Sequence, residues 1–216
     1  SAMTNFGVQA FLEKFLEMSP KPQPRALQDG TMIMPENEAF SAFVFKIQAN
    51  MNPAHRDRIS FMRICSGVFD KGMSVYHKQS NKVIKLAQPQ QFLAQKRTIV
   101  EKAYPGDIIG VFDPGIFGIG DSLSDNKLKL QFEDFPVFPP EIFARVQPKD
   151  SMKRKQFEKG IIQLAQEGAI QVFEQKGVGL ESYIVGVVGV LQLEVLEYRL
   201  NNEYSAQLLM NQLPYS

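Results

Sequence analysis

Residues 43–49 read Phe43-Val44-Phe45-Lys46-Ile47-Gln48-Ala49. Phe43, Phe45, Ile47 and Ala49 fall at every second position with Val44, Lys46 and Gln48 between them, the period of a β-strand that buries one face. Strand-like runs recur downstream at residues 59–65, 73–77, 82–86, 108–112 and 127–131. Turn signals separate them: Ser66-Gly67, Lys71-Gly72, Pro105-Gly106-Asp107 and Gly118-Ile119-Gly120-Asp121. Glycine admits positive φ in such turns, and Asp or Ser can bond its own backbone there. Several short strands with no convincing helix among them predict a small closed β-barrel over residues 37–135.

Upstream the grammar is different. Val8, Phe11, Leu12, Phe15 and Leu16 recur at helical spacing, which predicts an amphipathic helix over residues 6–18 that stops at Ser19-Pro20. Pro20, Pro22 and Pro24, interleaved with Lys21 and Arg25, predict a stiff extended linker. A short helix gains most of its stability by packing its apolar stripe, and a proline linker leaves this one without an adjacent surface. Residues 1–36 are therefore read as a tag scar (Ser1-Ala2-Met3), the terminal helix of a domain absent from this chain, and a linker.

Downstream, Phe135-Pro136 and Pro139-Pro140 punctuate the chain again. A strand is predicted at residues 141–147. Asp150 is placed to cap a helix over 151–166, with Phe157, Ile161 and Leu164 inward and Gly168 as its stop. Strands follow at 170–174 and 183–188, then a helix carrying Leu193, Leu196 and Leu200, then a strand at 206–210. The order βαββαβ predicts a ferredoxin-like sandwich over residues 136–216, both helices on one face of an antiparallel sheet.

Lys and Arg number 24 against 23 Asp and Glu, in 216 residues. No bulk positive field drives nucleic-acid binding, so any RNA contact must be local. One cysteine, Cys65, cannot form an internal disulfide and fits a reducing compartment, the cytoplasm. The longest apolar stretch, residues 183–191, is about half the roughly 20 residues that cross a bilayer. Catalytic motifs are missing from the sequence: it holds no G-x-x-x-x-G-K-[ST], G-x-S-x-G or H-E-x-x-H. Gly115, Gly118 and Gly120 have the wrong spacing for a phosphate loop and open no helix, so they are read as a turn. His55, His77 and Cys65 are too few for a closed zinc site. Neighbouring carboxylates such as Glu133-Asp134 are read as solvated surface rather than a hydrolytic pair. No catalytic, cofactor or metal residue is expected.

Two basic clusters stand out. His55-Arg56-Asp57-Arg58 follows Asn52-Pro53 at what reads as a hairpin tip, where outward guanidinium groups could hold phosphates bidentately. The competing reading is a solvated turn with an internal Arg–Asp pair. Lys149, Lys153, Arg154 and Lys155 surround a helix start, where the macrodipole disfavours cations by ~0.3–1 kcal/mol each. They are read as a surface for an outside partner, against the plainer reading of a wet helix face.

The run from Phe43 to Arg63, with Asn50-Met51-Asn52-Pro53-Ala54-His55-Arg56-Asp57-Arg58 inside it, resembles the second domain of the peptide chain release factor 3 family of translational GTPases. Ser66-Gly67, residues 103–110 and Ile119-Gly120-Asp121 agree with it, although such turns occur across translational GTPases. Residues 138–141, 163–173 and 184–192 resemble the third domain of the same family. The N-M-x-P-x-H-R-D-R segment separates it from elongation factor G and ribosomal-protection relatives. The resemblance implies a translation-factor barrel followed by the ferredoxin-like domain. It implies a ribosome-dependent GTPase that promotes dissociation of stop-codon-reading release factors, with GTP or GDP and Mg²⁺ held in an N-terminal domain and none in this chain. It further implies docking on small-subunit RNA and ribosomal protein, partnership in cis with the GTPase domain, a monomeric protein, and a third domain trimmed at its carboxyl end. A stand-alone ribosome- or RNA-binding module is the remaining alternative.

Overall fold

The computed structural model describes residues 2–49, 58–86, 89–93, 96–125, 128–173 and 182–214. Helix α1 (Val8–Met18) begins the chain and leaves Phe11, Leu12, Phe15 and Leu16 exposed. Two short strands follow, β1 (Arg25–Ala26) and β2 (Met32–Ile33), paired through a turn at Gly30. The barrel strands are β3 (Ser41–Ala49), β4 (Arg58–Ser66), β5 (Phe69–Asp70), β6 (Ser74–His77), β7 (Lys82–Lys85), β8 (Gln90–Leu93), β9 (Lys96–Ile99), β10 (Lys102–Ala103), β11 (Ile108–Phe112) and β12 (Ser122–Ser124). Eight of them form one curled antiparallel sheet in the order β7-β6-β12-β3-β4-β11-β8-β9, and β5 pairs with β10 separately. The curl wraps Val44, Ile47, Met62, Ile64, Phe69 and Leu123 into one core. Among the described residues no ladder joins β7 to β9, so the barrel is curled rather than closed.

The period-two reading of residues 43–49 needs one correction. A bulge between Val44 and Lys46 inserts an extra residue against β4, and an extra residue swaps which face the following side chains occupy. Val44 and Ile47 thus both point into the barrel, while Phe43 and Phe45 pack outside it. That outer cluster joins Phe43 to Leu27, Ile33, Cys65, Leu130 and Phe132. Residues 25–33, expected to be plain linker, are part of the barrel's packing. The strand expected at 127–131 is absent over its described residues, 128–131. The chain there turns at Lys129, whose φ is +45°, and pairs with the β1 region instead, through Leu27 opposite Phe132 and Gln28 N–H donating to the Gln131 carbonyl. Leu128 and Leu130 between polar neighbours predicted a strand, and pairing with the β1 region alone gives little more than an isolated bridge.

Burial pushes the Cys65 thiol up to about 12 from its ordinary 9.0, although Arg25 and Arg63 pull it down. At pH 8 Cys65 carries about a thousandfold less thiolate than an ordinary cysteine. Cys65 should therefore stay unlabelled by a thiol reagent at pH 8 for as long as the chain stays folded, as mass spectrometry over time can check. A folded thiol pKa above the unfolded one adds stability that is complete below pH 9 and fades as pH climbs towards 12.

Past residues 133–141 comes a second unit of β13 (Ile142–Pro148), α2 (Arg154–Gln166), β14 (Gln171–Phe173), β15 (Tyr183–Val187), α3 (Val190–Tyr204) and β16 (Leu208–Gln212). A single 3₁₀ turn at Ser151–Lys153 precedes α2, capped by Asp150, whose Oδ1 accepts from the Met152 N–H at 2.9 Å. The sheet is antiparallel in the order β14-β15-β13-β16, the arrangement of a ferredoxin-like sandwich. Phe157, Ile161 and Leu164 of α2 meet Leu193, Leu196 and Leu200 of α3 over Ala144, Val146 and Val185. Gly160 lets the two helices approach closely, since a Cβ there would collide with Leu200 and Tyr204.

Candidate functional site

Arg58 opens β4, and the strand's alternation places it on the same inward face as Ser60, Met62 and Ile64. Its side chain is therefore turned into the protein, with the residue only 8% exposed. Nε donates to Asp113 Oδ2 at 2.8 Å, Nη2 donates to the Phe117 carbonyl at 2.7 Å, and Nη1 donates to Gln166 Oε1. Asp113 is buried as well. Its Oδ2 also accepts from Ser60 Oγ–H at 2.8 Å, and its Oδ1 accepts the N–H groups of Gly115, Ile116 and Phe117. Arg58 is therefore not an outward phosphate ligand, which corrects the expectation drawn from the basic run. Local charge density suggested a solvated tip. Strand alternation, with a carboxylate 55 positions away, turned the side chain inward. His55 and Arg56 lie outside the described residues.

Gln166 belongs to the second unit, so Arg58 bridges the two. Its register partner across the β3–β4 ladder, Ala49, does the same: the Ala49 N–H donates to Glu167 Oε1 at 2.9 Å. Two paired residues at the loop end of the β3–β4 hairpin thus hold two consecutive residues at the end of α2. The helix stops there because Gly168 takes φ +74°, with its N–H on the Ala165 carbonyl and the Ala169 N–H on Leu164. Glu167 is anchored from behind. Arg199 of α3 donates Nη1 to Glu167 Oε2 at 2.6 Å and Nε to Glu203 Oε1 at 2.7 Å. Burial opposes charge on Arg199, but its hydrogen bonds to the Glu203 and Glu167 carboxylates outweigh it and hold the guanidinium above its ordinary value.

Beside this joint lies a cleft of about 980 Å³ between the units, lined by Ile116, Phe117 and Ile119 on one side and Gln166, Ile170 and Val187 on the other. His77, Asp121 and Ser80 also border it. His77 Nε2 is 2.8 Å from Asp121 Oδ2, and its Nδ1 is 2.8 Å from Ser80 Oγ. The chain of contacts has the residue types of a nucleophilic triad, but His77 is 1% exposed and Asp121 also accepts the Gly118 N–H. A sealed imidazole cannot exchange protons with a substrate, so these groups fasten the 118–121 turn to β6.

The second basic cluster lies at the other end of α2. Thirteen helical residues put it roughly 20 Å from the joint at 1.5 Å per residue. Lys149 and Lys155 are exposed and Lys153 is half-buried, and none of the three has an ion pair among the described residues. Arg154 pairs with Glu158 at 2.8 Å. The structure does not bring Arg58 together with these lysines. Sequence reading missed Gln166 and Glu167, whose only signal was their position just before the helix-stopping Gly168.

Similarity to known proteins runs along the same divisions. Residues 39–126 match the model of elongation factor G domain 2, and residues 132–216 match that of the class II release factor RF3, C-terminal domain. Across its full length the chain is 57% identical to a peptide chain release factor 3 of Symbiobacterium thermophilum, and over 97% of its length it is 53% identical to that of Enterococcus faecalis. The chain belongs to the release factor 3 family. It spans about 40% of the length of these curated relatives. A crystal structure of a Thermus thermophilus protein shares the fold with a TM-score of 0.74 at 20% identity, covering 95% of this chain and 29% of that one.

Proposed function

We propose that this chain is the non-catalytic, ribosome-docking portion of a GTP-dependent termination factor that promotes release of stop-codon-reading factors. The observation that carries the reading is the joint: Ala49 and Arg58 on Glu167 and Gln166 make the barrel and the ferredoxin-like unit one body. A rigid body transmits a nucleotide-dependent movement only if it contacts two ribosome states differently, since equal contact shifts nothing. GTP or GDP and Mg²⁺ belong, on this reading, to a GTPase domain acting in cis. The cytoplasm is the site of action, and among the described residues no helix is long and apolar enough to cross a membrane. The protein acts as a monomer.

The barrel, akin to a domain of elongation factor G, would meet small-subunit RNA through His55 and Arg56. The C-terminal unit would meet a ribosomal protein or RNA face through Lys149, Lys153 and Lys155. Ribosome pelleting across a salt series tests both surfaces. Arg56→Ala should reduce affinity and lower the salt slope by about 1, and the Lys149/Lys153/Lys155→Ala triple variant by up to about 3 where each cation meets a phosphate. Wild-type affinity in both variants at low salt would remove both surfaces from the reading.

A further inference from the structure

Arg25 reaches the barrel at the end of the proline linker, with its guanidinium 4.8 Å from the centre of the Phe43 ring and 5.2 Å from that of Phe135. The two aromatic contacts fix the plane of the group and leave its N–H edge to find acceptors. Arg25 Nε finds none: it is buried and unpartnered. An orphaned buried donor is destabilising, and such a group in a folded protein calls for an explanation.

The surroundings supply one. Arg25 lines a pocket of about 170 Å³ with Arg63, Cys65, Gln23 and Gly106, enough for roughly five waters at ~30 Å³ each or for one tetrahedral oxyanion. Among the described residues no carboxylate lines it, and neither Arg25 nor Arg63 has an ion pair. Cys65 cannot balance the two positive charges, because burial keeps its thiol protonated. In a chain of net charge +1, two such guanidinium groups at one pocket form a concentrated positive site. The pocket is also walled: Pro22 packs against Gly106, where a Cβ would meet its ring at 2.8 Å. We propose that Arg25 and Arg63 form a binding site for a phosphate-type oxyanion at the seam between the linker and the barrel. The anion accepts from the Arg63 fork, and a small shift of the Arg25 side chain turns its buried Nε–H onto the same anion, in the charge-assisted geometry that guanidinium groups offer phosphate oxygens. Its source is either free phosphate or a phosphodiester of an RNA backbone, and the site does not depend on the ribosomal reading above.

Two probes distinguish the sources in the 216-residue chain. One is thermal stabilisation by sodium phosphate against sodium chloride at matched ionic strength. The other is fluorescence anisotropy with a labelled single-stranded RNA. Arg63→Gln changes an exposed side chain and should leave folding intact, and Arg25→Lys keeps the charge but removes Nε–H. For a free-anion site, both variants weaken phosphate binding by about tenfold, the loss of one charge-assisted hydrogen bond, with RNA affinity unmoved. For an RNA phosphodiester, the same loss appears with RNA while inorganic phosphate gives no stabilisation beyond chloride. Binding of neither probe, or equal binding in wild type and both variants, overturns the proposal.

Discussion

Replacing Arg58 with alanine is expected to lower the unfolding free energy by about 3–5 kcal/mol, the usual cost of breaking a buried ion pair by deleting one partner. The size follows from what the deletion strands. Asp113, buried and charged, loses its ion-pair partner while still bound to Ser60 and the 115–117 backbone. The Phe117 carbonyl and Gln166 lose their donors at the same stroke. Because Arg58 also ties the barrel to α2, the loss should have a second signature. Wild type should unfold in one calorimetric transition, and Arg58→Ala should separate into two as the units cease to support each other. A basic residue whose role was an exposed RNA contact would give a change within about 0.5 kcal/mol, as surface substitutions usually do. Urea denaturation of the isolated chain, with no ribosome present, is enough to tell these apart.

Glu167→Ala is expected to cost roughly 2–4 kcal/mol by a different route. The carboxylate accepts the Ala49 N–H and two Arg199 N–H groups with its side chain 7% exposed. Hydrogen bonds to charged groups contribute ~1.5–3 kcal/mol, and leaving the Ala49 donor buried and unmet adds ~1–3 kcal/mol more. Arg199 keeps Glu203, which holds the total below the sum. Amide exchange offers the sharper readout. The Ala49 amide, protected in wild type by a side chain from the other unit, should lose protection by roughly 1.5 to 3 orders of magnitude, a factor of 10 for each ~1.4 kcal/mol. Amides inside β3 should lose far less. Glu167→Gln, which retains an acceptor for Ala49, should recover most of that protection without recovering the ion pair to Arg199.

The second unit was legible because its signals are local and agree with one another: Asp150 caps, Gly168 stops, and Phe157, Ile161 and Leu164 sit at helical spacing on one buried face. The barrel's strand at residues 108–112 was equally legible, bounded by glycine and proline turns. What escaped reading depends on partners far away in sequence. The bulge at Val44 is set by β4 and by the 120–121 turn, which bonds both backbone groups of Val44. The inward turn of Arg58 needs Asp113, and the pairing of residues 26–28 with 131–133 spans more than a hundred positions. The joint is the extreme case: Ala49 carries no side-chain signal at all, and its contact with Glu167 exists only once both units are folded.

Whether the β3–β4 hairpin and the end of α2 hold the two units at one fixed angle is tested most directly by a distance distribution between them. Spin labels at Lys82→Cys on β7 and Lys155→Cys on α2, both exposed positions, read it by pulsed electron resonance, with Cys65 buried and unreactive. Wild type should give one narrow distribution that broadens in Glu167→Ala. A wild-type distribution as broad as that of the variant would contradict the fixed angle.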